Sequence, residues 1–321
     1  MQRTGQTFRV KVCHMSLPAP LEIFASQLRS ALGDARAEAV LGTMVGARRR
    51  AFLHNALMGP LPDVPARPLG LPGMHEWLAD EAALTRHSAT EAGLIYPMNP
   101  SSVLPVLALD VQPGQEVLDL AAAPGGKTLV MACAMENQGR IAAVEVVKGR
   151  FHRLRANLER CGVSIAQCYL DDGRRTGRKT GPRFDRVLLD APCSSEARIR
   201  LDEPATFAHW GPRKVKEMAR KQRGLIRSAF AALRPGGTLV YSTCSFSVDE
   251  NERIVDGLLR AEPRARVEKY SVHGPSTMPG LVKWRSRDLD ASLSSTLRVL
   301  PDDLWDGFYL AKILKEDASE T

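Results

Sequence analysis

The chain predicts an α/β fold built on a mostly parallel, doubly wound sheet, and three observations carry the prediction. Short apolar runs alternate with helix-period segments from about residue 97 onward. The run Val117-Leu118-Asp119-Leu120 ends in small residues, a proline and two glycines, and helix-compatible sequence resumes at Thr128. The chemically distinctive residues fall just past the ends of the predicted strands. Alternation of this kind gives a parallel sheet covered on both faces. Ligands of such sheets sit beyond the carboxyl ends of the strands, where small residues let the backbone come close.

Ahead of the sheet, residues 16–60 read as helices, including the stretch RRRAFLHNAL at 48–57. Leu21, Phe24, Ala25, Leu28 and Leu32 recur at three- and four-residue steps, an amphipathic stripe. Pro60, Pro62, Pro65, Pro68 and Pro72, with Gly70 and Gly73, form a breaker-rich connection. This places a boundary near residue 85, between a small, mainly helical N-terminal domain (1–85) and the α/β domain (86–321). A helix over 97–109 leads into the first strand at 117. The second strand, 141–144, delivers Glu145 at its tip, and a helix follows over 148–161. A third short run ends at Asp171-Asp172-Gly173. The fourth strand, 186–190, opens into Ala191-Pro192-Cys193-Ser194. Val215, Met218, Gln222, Leu225, Ala229, Phe230 and Leu233 mark the inner side of a long helix ending at Pro235-Gly236-Gly237. The fifth strand, 238–242, opens into Thr243-Cys244-Ser245; a helix over 250–260 and a late strand over 307–313 complete the pattern.

Composition narrows the class. At 321 residues the chain has room for about two domains and a real core. No apolar run approaches the ~18 residues of a membrane helix. The first 15 residues carry bases but no apolar core, so they do not read as a secretion signal. Six cysteines, at 13, 133, 161, 168, 193 and 244, contain no C-x-x-C spacing, which argues against a metal site. Such usage suits a reducing cytoplasm. His54 and His75 lack metal-spaced partners and read as structural. The net charge of +8 gathers in two clusters. One is Arg174, Arg175, Arg178, Lys179, Arg183 and Arg186. The other is Arg213, Lys214, Lys216, Arg220, Lys221, Arg223 and Arg227, interrupted only by Glu217. Runs like these are either solvated helix faces or contacts to a phosphate backbone.

The turn after the first strand, Ala121-Ala122-Ala123-Pro124-Gly125-Gly126, and the acid Glu145 define a nucleoside pocket, because an acid at that tip accepts hydrogen bonds from ribose hydroxyls. Three ligand types compete. Gly126-Lys127-Thr128 supplies the end of a phosphate-binding loop, but Ala121 stands where its first glycine belongs. The dinucleotide fingerprint is absent. S-adenosylmethionine carries a ribose and no phosphate, and needs only a small-residue turn and the acid. Its sulfonium is cationic, so Lys127 is expected to address a second substrate. Cys193 and Cys244 fall on the same rim, where each is either a packing residue or a nucleophile.

These residues together resemble the Sun/Fmu/Nop family of RNA cytosine-C5 methyltransferases. The matching motifs are LDLAAAPGGKT at 118–128, the pair Glu145 and Arg150, DGR at 172–174, LLDAPCS at 188–194, LRPGGTLVYSTCS at 233–245 and DENE at 249–252. The segment WGPRKVKEMARKQRGLIRSAF (210–230) is most similar to the bacterial ribosomal-RNA branch. The resemblance implies a Rossmann-like class I methyltransferase fold. It implies S-adenosylmethionine as cofactor, held by Ala121 to Lys127, Glu145, Arg150, Asp172 and Asp190. Catalysis is implied for Cys244 as the nucleophile that adds to carbon-6 of cytosine, and for Cys193 as the helper in product release. Asp190, with Lys127, would hold the base edge. The target base must leave its stack to reach the thiol.

The chain departs from the family pattern in places. Leu53 replaces the expected arginine in RRRAFLHNAL, YPMNPSSVLP (96–105) lacks a glutamine-acid pair, and Ala197-Arg198 stands where Gly-Val is usual. The expected substrate is ribosomal RNA, with transfer RNA as the alternative, and the N-terminal domain is expected to help bind it. A monomer without metal or membrane association is expected. Two other readings compete: a methyltransferase of small molecules or proteins with both cysteines structural, and a catalytically inactive RNA-binding or ribosome-assembly factor.

Overall fold

A computed structural model describes residues 18–317; the N-terminal segment read for a secretion signal, with Cys13, lies outside the described residues. The chain begins with helices α1 (Ala19–Leu32) and α2 (Asp34–Gly42), then strands β1 (Arg50–His54), β2 (Ala66–Pro68) and β3 (Met74–Trp77). Short helices α3 (Glu81–Arg86) and α4 (Ser88–Glu91) lead to β4 (Ile95–Pro97) and α5 (Leu104–Leu109). The alternating part follows as β5 (Glu116–Asp119), α6 (Gly126–Ala134), β6 (Arg140–Glu145), α7 (Lys148–Arg160), β7 (Ala166–Leu170), α8 (Thr176–Thr180), β8 (Phe184–Asp190), α9 (Pro212–Ala232), β9 (Leu233–Thr243) and α10 (Glu252–Leu259). It closes with β10 (Ala265–Glu268), β11 (Thr277–Pro279), β12 (Lys283–Trp284), β13 (Arg287–Asp288), β14 (Leu297–Val299) and β15 (Phe308–Lys315).

The main sheet has the order β11-β14-β15-β9-β8-β5-β6-β7, with β10 also paired to β15. β9, β8, β5, β6 and β7 run parallel, as the α/β alternation requires, while β15 joins β9 antiparallel. Successive strand residues point to opposite faces. Thus Leu118, Val187, Leu189 and Tyr241 join a core with α1, α2, α9 and α10, and Val117, Leu188 and Val240 join one with α5 and α6. No helix among the described residues is long and apolar enough to cross a membrane.

The N-terminal part corrects the helical reading of 16–60. Two helices form, but the stretch around Phe52 is the strand β1, set between β3 and β4 in a four-stranded antiparallel sheet of order β2-β3-β1-β4. Ala51, Phe52 and Leu53 are all buried, because both faces of β1 are covered. That removes the alternation that would have marked a strand, and tertiary pairing overrides the local pattern. β4 carries this sheet ten residues past the boundary expected near 85, and α1 and α2 share the core of the main sheet. The mainly helical N-terminal part is therefore a helical pair plus a small sheet, both packed on the α/β body. At the other end, strand pairing begins at Leu233, before Pro235-Gly236-Gly237, through a register irregularity opposite Phe184 and Arg186.

Candidate active site

Parallel pairing brings the tips of β5, β6, β8 and β9 to one rim. Asp190 pairs with Ser242 across β8 and β9. Just beyond, Cys193 Sγ lies 3.3 Å from Cys244 Sγ, and Ser194 Oγ lies 3.2 Å from Ser245 Oγ. Two Cys-Ser steps, 51 residues apart, thus run side by side. Both cysteines are partly exposed on the rim. Their environments differ. A hydrogen bond from the Cys193 thiol holds Cys244 below its ordinary pKa, with the Arg198 guanidinium helping against burial. The same bond, with burial, pushes Cys193 well up. Of the two thiols, Cys244 is the one held towards ionisation.

Lys127 Nζ, from the first turn of α6, donates to Asp190 Oδ2 at 2.7 Å, while Ser242 Oγ donates to Asp190 Oδ1 at 3.0 Å. Lys127 also stands 5.5 Å over the ring of Phe308 on β15. The charge of Lys127 is paired with Asp190. A Cβ at Gly126 would sit 3.0 Å from the Tyr96 ring, a tight approach that favours glycine here. Beneath the turn, buried Asp119 accepts from Thr128 Oγ1 at 2.7 Å, and burial pushes its carboxyl up to about 7.

Glu145 is buried at the tip of β6. Its Oε1 accepts from Val147 N at 2.9 Å; its Oε2 has only a 3.6 Å contact to Arg150, leaving acceptor capacity for a ribose. Arg150 donates to the Ala123 carbonyl at 2.6 Å, and Asn157 braces Pro124 O likewise at 2.8 Å. Asp172, at the start of the turn after β7, is paired locally. Both its oxygens are taken by the neighbouring Arg174, whose backbone N–H it also caps at 3.0 Å. Contacts join Lys127, Asp190 and Ser242, and join Cys193 to Cys244; Glu145 stands at the tip of β6 on the same sheet.

Sequence reasoning missed the support beneath the cysteines. Glu250 is fully buried and receives Ser194 N, Gln222 Nε2 and Ser245 Oγ at 2.9, 2.9 and 3.0 Å, as well as the Ser194 hydroxyl. Glu196, also buried, receives Trp210 Nε1, Ser245 Oγ and Phe246 N at 3.1, 3.0 and 2.8 Å. The Ser245 hydroxyl has one proton for two carboxyl groups, and the hydrogen-bonding partners of both acids are neutral. Burial, aided by Glu196, pushes Glu250 up to about 7. The signal was present in DENE, but not its meaning. Arg198, noted only as a departure, lies one residue past Ala197, whose N–H donates to the Cys244 carbonyl at 3.0 Å.

A parallel sheet with a small-residue turn after its first strand, an acid after its second and two facing cysteines at its rim defines a Rossmann-like methyltransferase with a thiol site. The family model described as 16S rRNA methyltransferase RsmB/F matches residues 106–314, and the chain belongs to that family. Over 225 residues it is 43% identical to a tRNA (cytosine(49)-C(5))-methyltransferase of Pyrococcus abyssi, covering 70% of this chain and 71% of that one. It is 47% identical over 190 residues to Ribosomal RNA small subunit methyltransferase F of Escherichia coli, covering 58% of this chain and 40% of that one. A crystal structure of a methyltransferase homolog protein from Pyrococcus horikoshii superposes with a TM-score of 0.77 at 28% identity, covering 92% of this chain and 95% of that one. Among the described residues no group of His, Cys, Asp and Glu could hold a metal ion.

Proposed function

We propose that the chain methylates carbon-5 of cytosine in structured RNA, with ribosomal RNA as the substrate and S-adenosylmethionine as the methyl donor. The observation that carries the reading is the asymmetric cysteine pair, 3.3 Å apart, beside the Lys127–Asp190 pair. S-adenosylmethionine, held over Ala121 to Gly126 with its ribose on Glu145, would supply an electrophilic methyl group. Carbon-5 of cytosine is too poor a nucleophile to accept it unaided. Cys244, poised as a thiolate, adds to carbon-6 and makes carbon-5 an enamine nucleophile. Asp190, oriented by Lys127 and Ser242, favours protonation at the ring nitrogen during that attack. After transfer, the carbon-5 proton passes to water, its electron pair re-forms the 5,6 double bond, and the Cys244–carbon-6 bond breaks to return the Cys244 thiolate, with Cys193 assisting release.

A transfer RNA substrate is the second reading, favoured by the Pyrococcus abyssi relative, of which the chain covers the larger share. The chain spans less than half of the Escherichia coli relative, so the RNA choice of that protein does not pass over intact. Bisulfite sequencing of ribosomal and transfer RNA from a deletion strain tests both. A cytosine in ribosomal RNA that loses its protection supports the proposal; loss confined to transfer RNA moves it to the second reading, and no loss in either overturns it.

A further inference from the structure

The second basic cluster lines one face of α9, and Arg174 of the first cluster lies against that helix. Between residues 213 and 227 of α9, every exposed residue is a base: Arg213, Lys216, Arg220, Arg223 and Arg227. Their spacing alternates three and four, which lines them along one helix face. Fourteen residues of helix make that line about 21 Å long. None of the five forms an ion pair among the described residues, whereas Lys214 and Lys221, on the flank, share Glu217. A solvated helix face ordinarily alternates bases with acids at these spacings; here Glu217 is the one acid among them, and it is paired with Lys214 and Lys221.

Contacts with α8 extend the surface sideways. Gly177 lies against α9 so closely that a Cβ would sit 2.3 Å from Ser228 O. Ser228 Oγ accepts from Gly177 N at 2.9 Å and donates to Gly173 O at 2.6 Å. The stem of Arg174 covers Gly224, where a Cβ would meet its Cδ at 3.1 Å. Arg174, whose guanidinium is paired with Asp172, therefore sits next to the line. Its height is set too. Gln222 Nε2 donates at 2.9 Å to Pro192 O, two residues past the tip of β8, and at 2.9 Å to Glu250. α9 runs back between two parallel strands, so its first ten residues, about 15 Å of helix, stand beyond the strand tips beside the cysteine cleft.

We propose that the outer face of α9 is a docking rail for the phosphate backbone of an RNA stem next to the target cytosine. The proposal rests on the reading of the chain as an RNA methyltransferase. Unpaired bases in single-stranded RNA are gripped by stacking on aromatic rings, and this face exposes none; a helical stem is recognised through phosphates and shape. The rail would hold the stem while the cysteine site takes one extruded base.

Lys216, Arg220, Arg223 and Arg227 are replaced together by glutamine, which keeps helix propensity. A control variant, Arg36→Gln, Lys269→Gln, Lys283→Gln and Arg285→Gln, removes the same charge elsewhere. Affinity for a fluorescein-labelled RNA hairpin and for an unstructured oligoribonucleotide of equal length is measured by anisotropy across a salt series, without methyl donor. The rail variant is expected to lose at least tenfold in hairpin affinity. The slope of log affinity against log salt should fall by about 3.6, roughly 0.9 for each of four phosphate contacts. The control and the unstructured oligonucleotide should change little. An unchanged hairpin slope, equal loss in the control, or equal loss on both RNAs overturns the rail. Hairpin loss in a protein that methylates no RNA would keep the rail and refute the proposed activity instead.

Discussion

Replacing Glu250 by glutamine removes a proton equilibrium while keeping the shape of the support beneath the cysteines. Burial raises this carboxyl from 4.5 to about 7. In the unfolded chain it ionises near the lower value, so between the two the folded protein holds a proton that the unfolded one has released. The contribution is present in full below about 4.5 and is lost as pH rises through about 7. At 1.36 kcal/mol per unit, the loss between pH 5 and pH 8 is on the order of 3 kcal/mol. Asp119, raised to about 7 from 3.8, adds a slope of the same sign in both proteins. Urea unfolding of the wild type and Glu250→Gln at pH 5 to 8 isolates the first effect. The wild type should lose about 3 kcal/mol more than the variant over that range. Parallel pH curves would mean that Glu250 is ionised in the folded protein throughout, and the account of Ser245 sharing one proton between two acids would be wrong.

Glu145→Ala removes the acceptor at the tip of β6, and calorimetry with S-adenosylmethionine should show binding weakened by ~1–3 kcal/mol; tight ATP binding with none of the methyl donor would refute the pocket assignment. Arg298 meets Glu252 through two bonds of 2.6 Å, with both side chains buried, and also bonds Phe246 O at 2.9 Å. Arg298→Met strands the buried carboxylate and should cost ~3–5 kcal/mol in urea unfolding. A loss below ~1 kcal/mol would show that water reaches the pair.

Much of the main sheet was legible because α/β alternation writes itself into hydrophobic period, and each chemical residue followed a strand. The tip of β8 is the clearest case: Val187, Leu188 and Leu189 are all fully buried, and Asp190 is the first polar residue past them. β1 was misread because Ala51, Phe52 and Leu53 are buried on both sides and carry no alternation. β10, β11 and β14 are strands of three or four residues held by pairing with distant partners, which no local pattern encodes. Cys193 and Cys244 could be placed on one rim from topology, but their 3.3 Å contact depends on the register Asp190↔Ser242. Glu250 stood in a recognised motif, yet its role needs three-dimensional closure, since Ser194, Gln222 and Ser245 reach it from separate elements.

The central claim is that Cys244 attacks and Cys193 releases, and trapping on a denaturing gel tests it most directly. Each cysteine is replaced by alanine, and each variant is incubated with substrate RNA and S-adenosylmethionine before denaturation. Cys193→Ala should still attack and methylate but stall afterwards, leaving RNA attached and migrating slowly with the protein. Cys244→Ala should form no adduct and transfer no methyl group. A slow-migrating adduct with Cys244→Ala, and none with Cys193→Ala, would contradict the account.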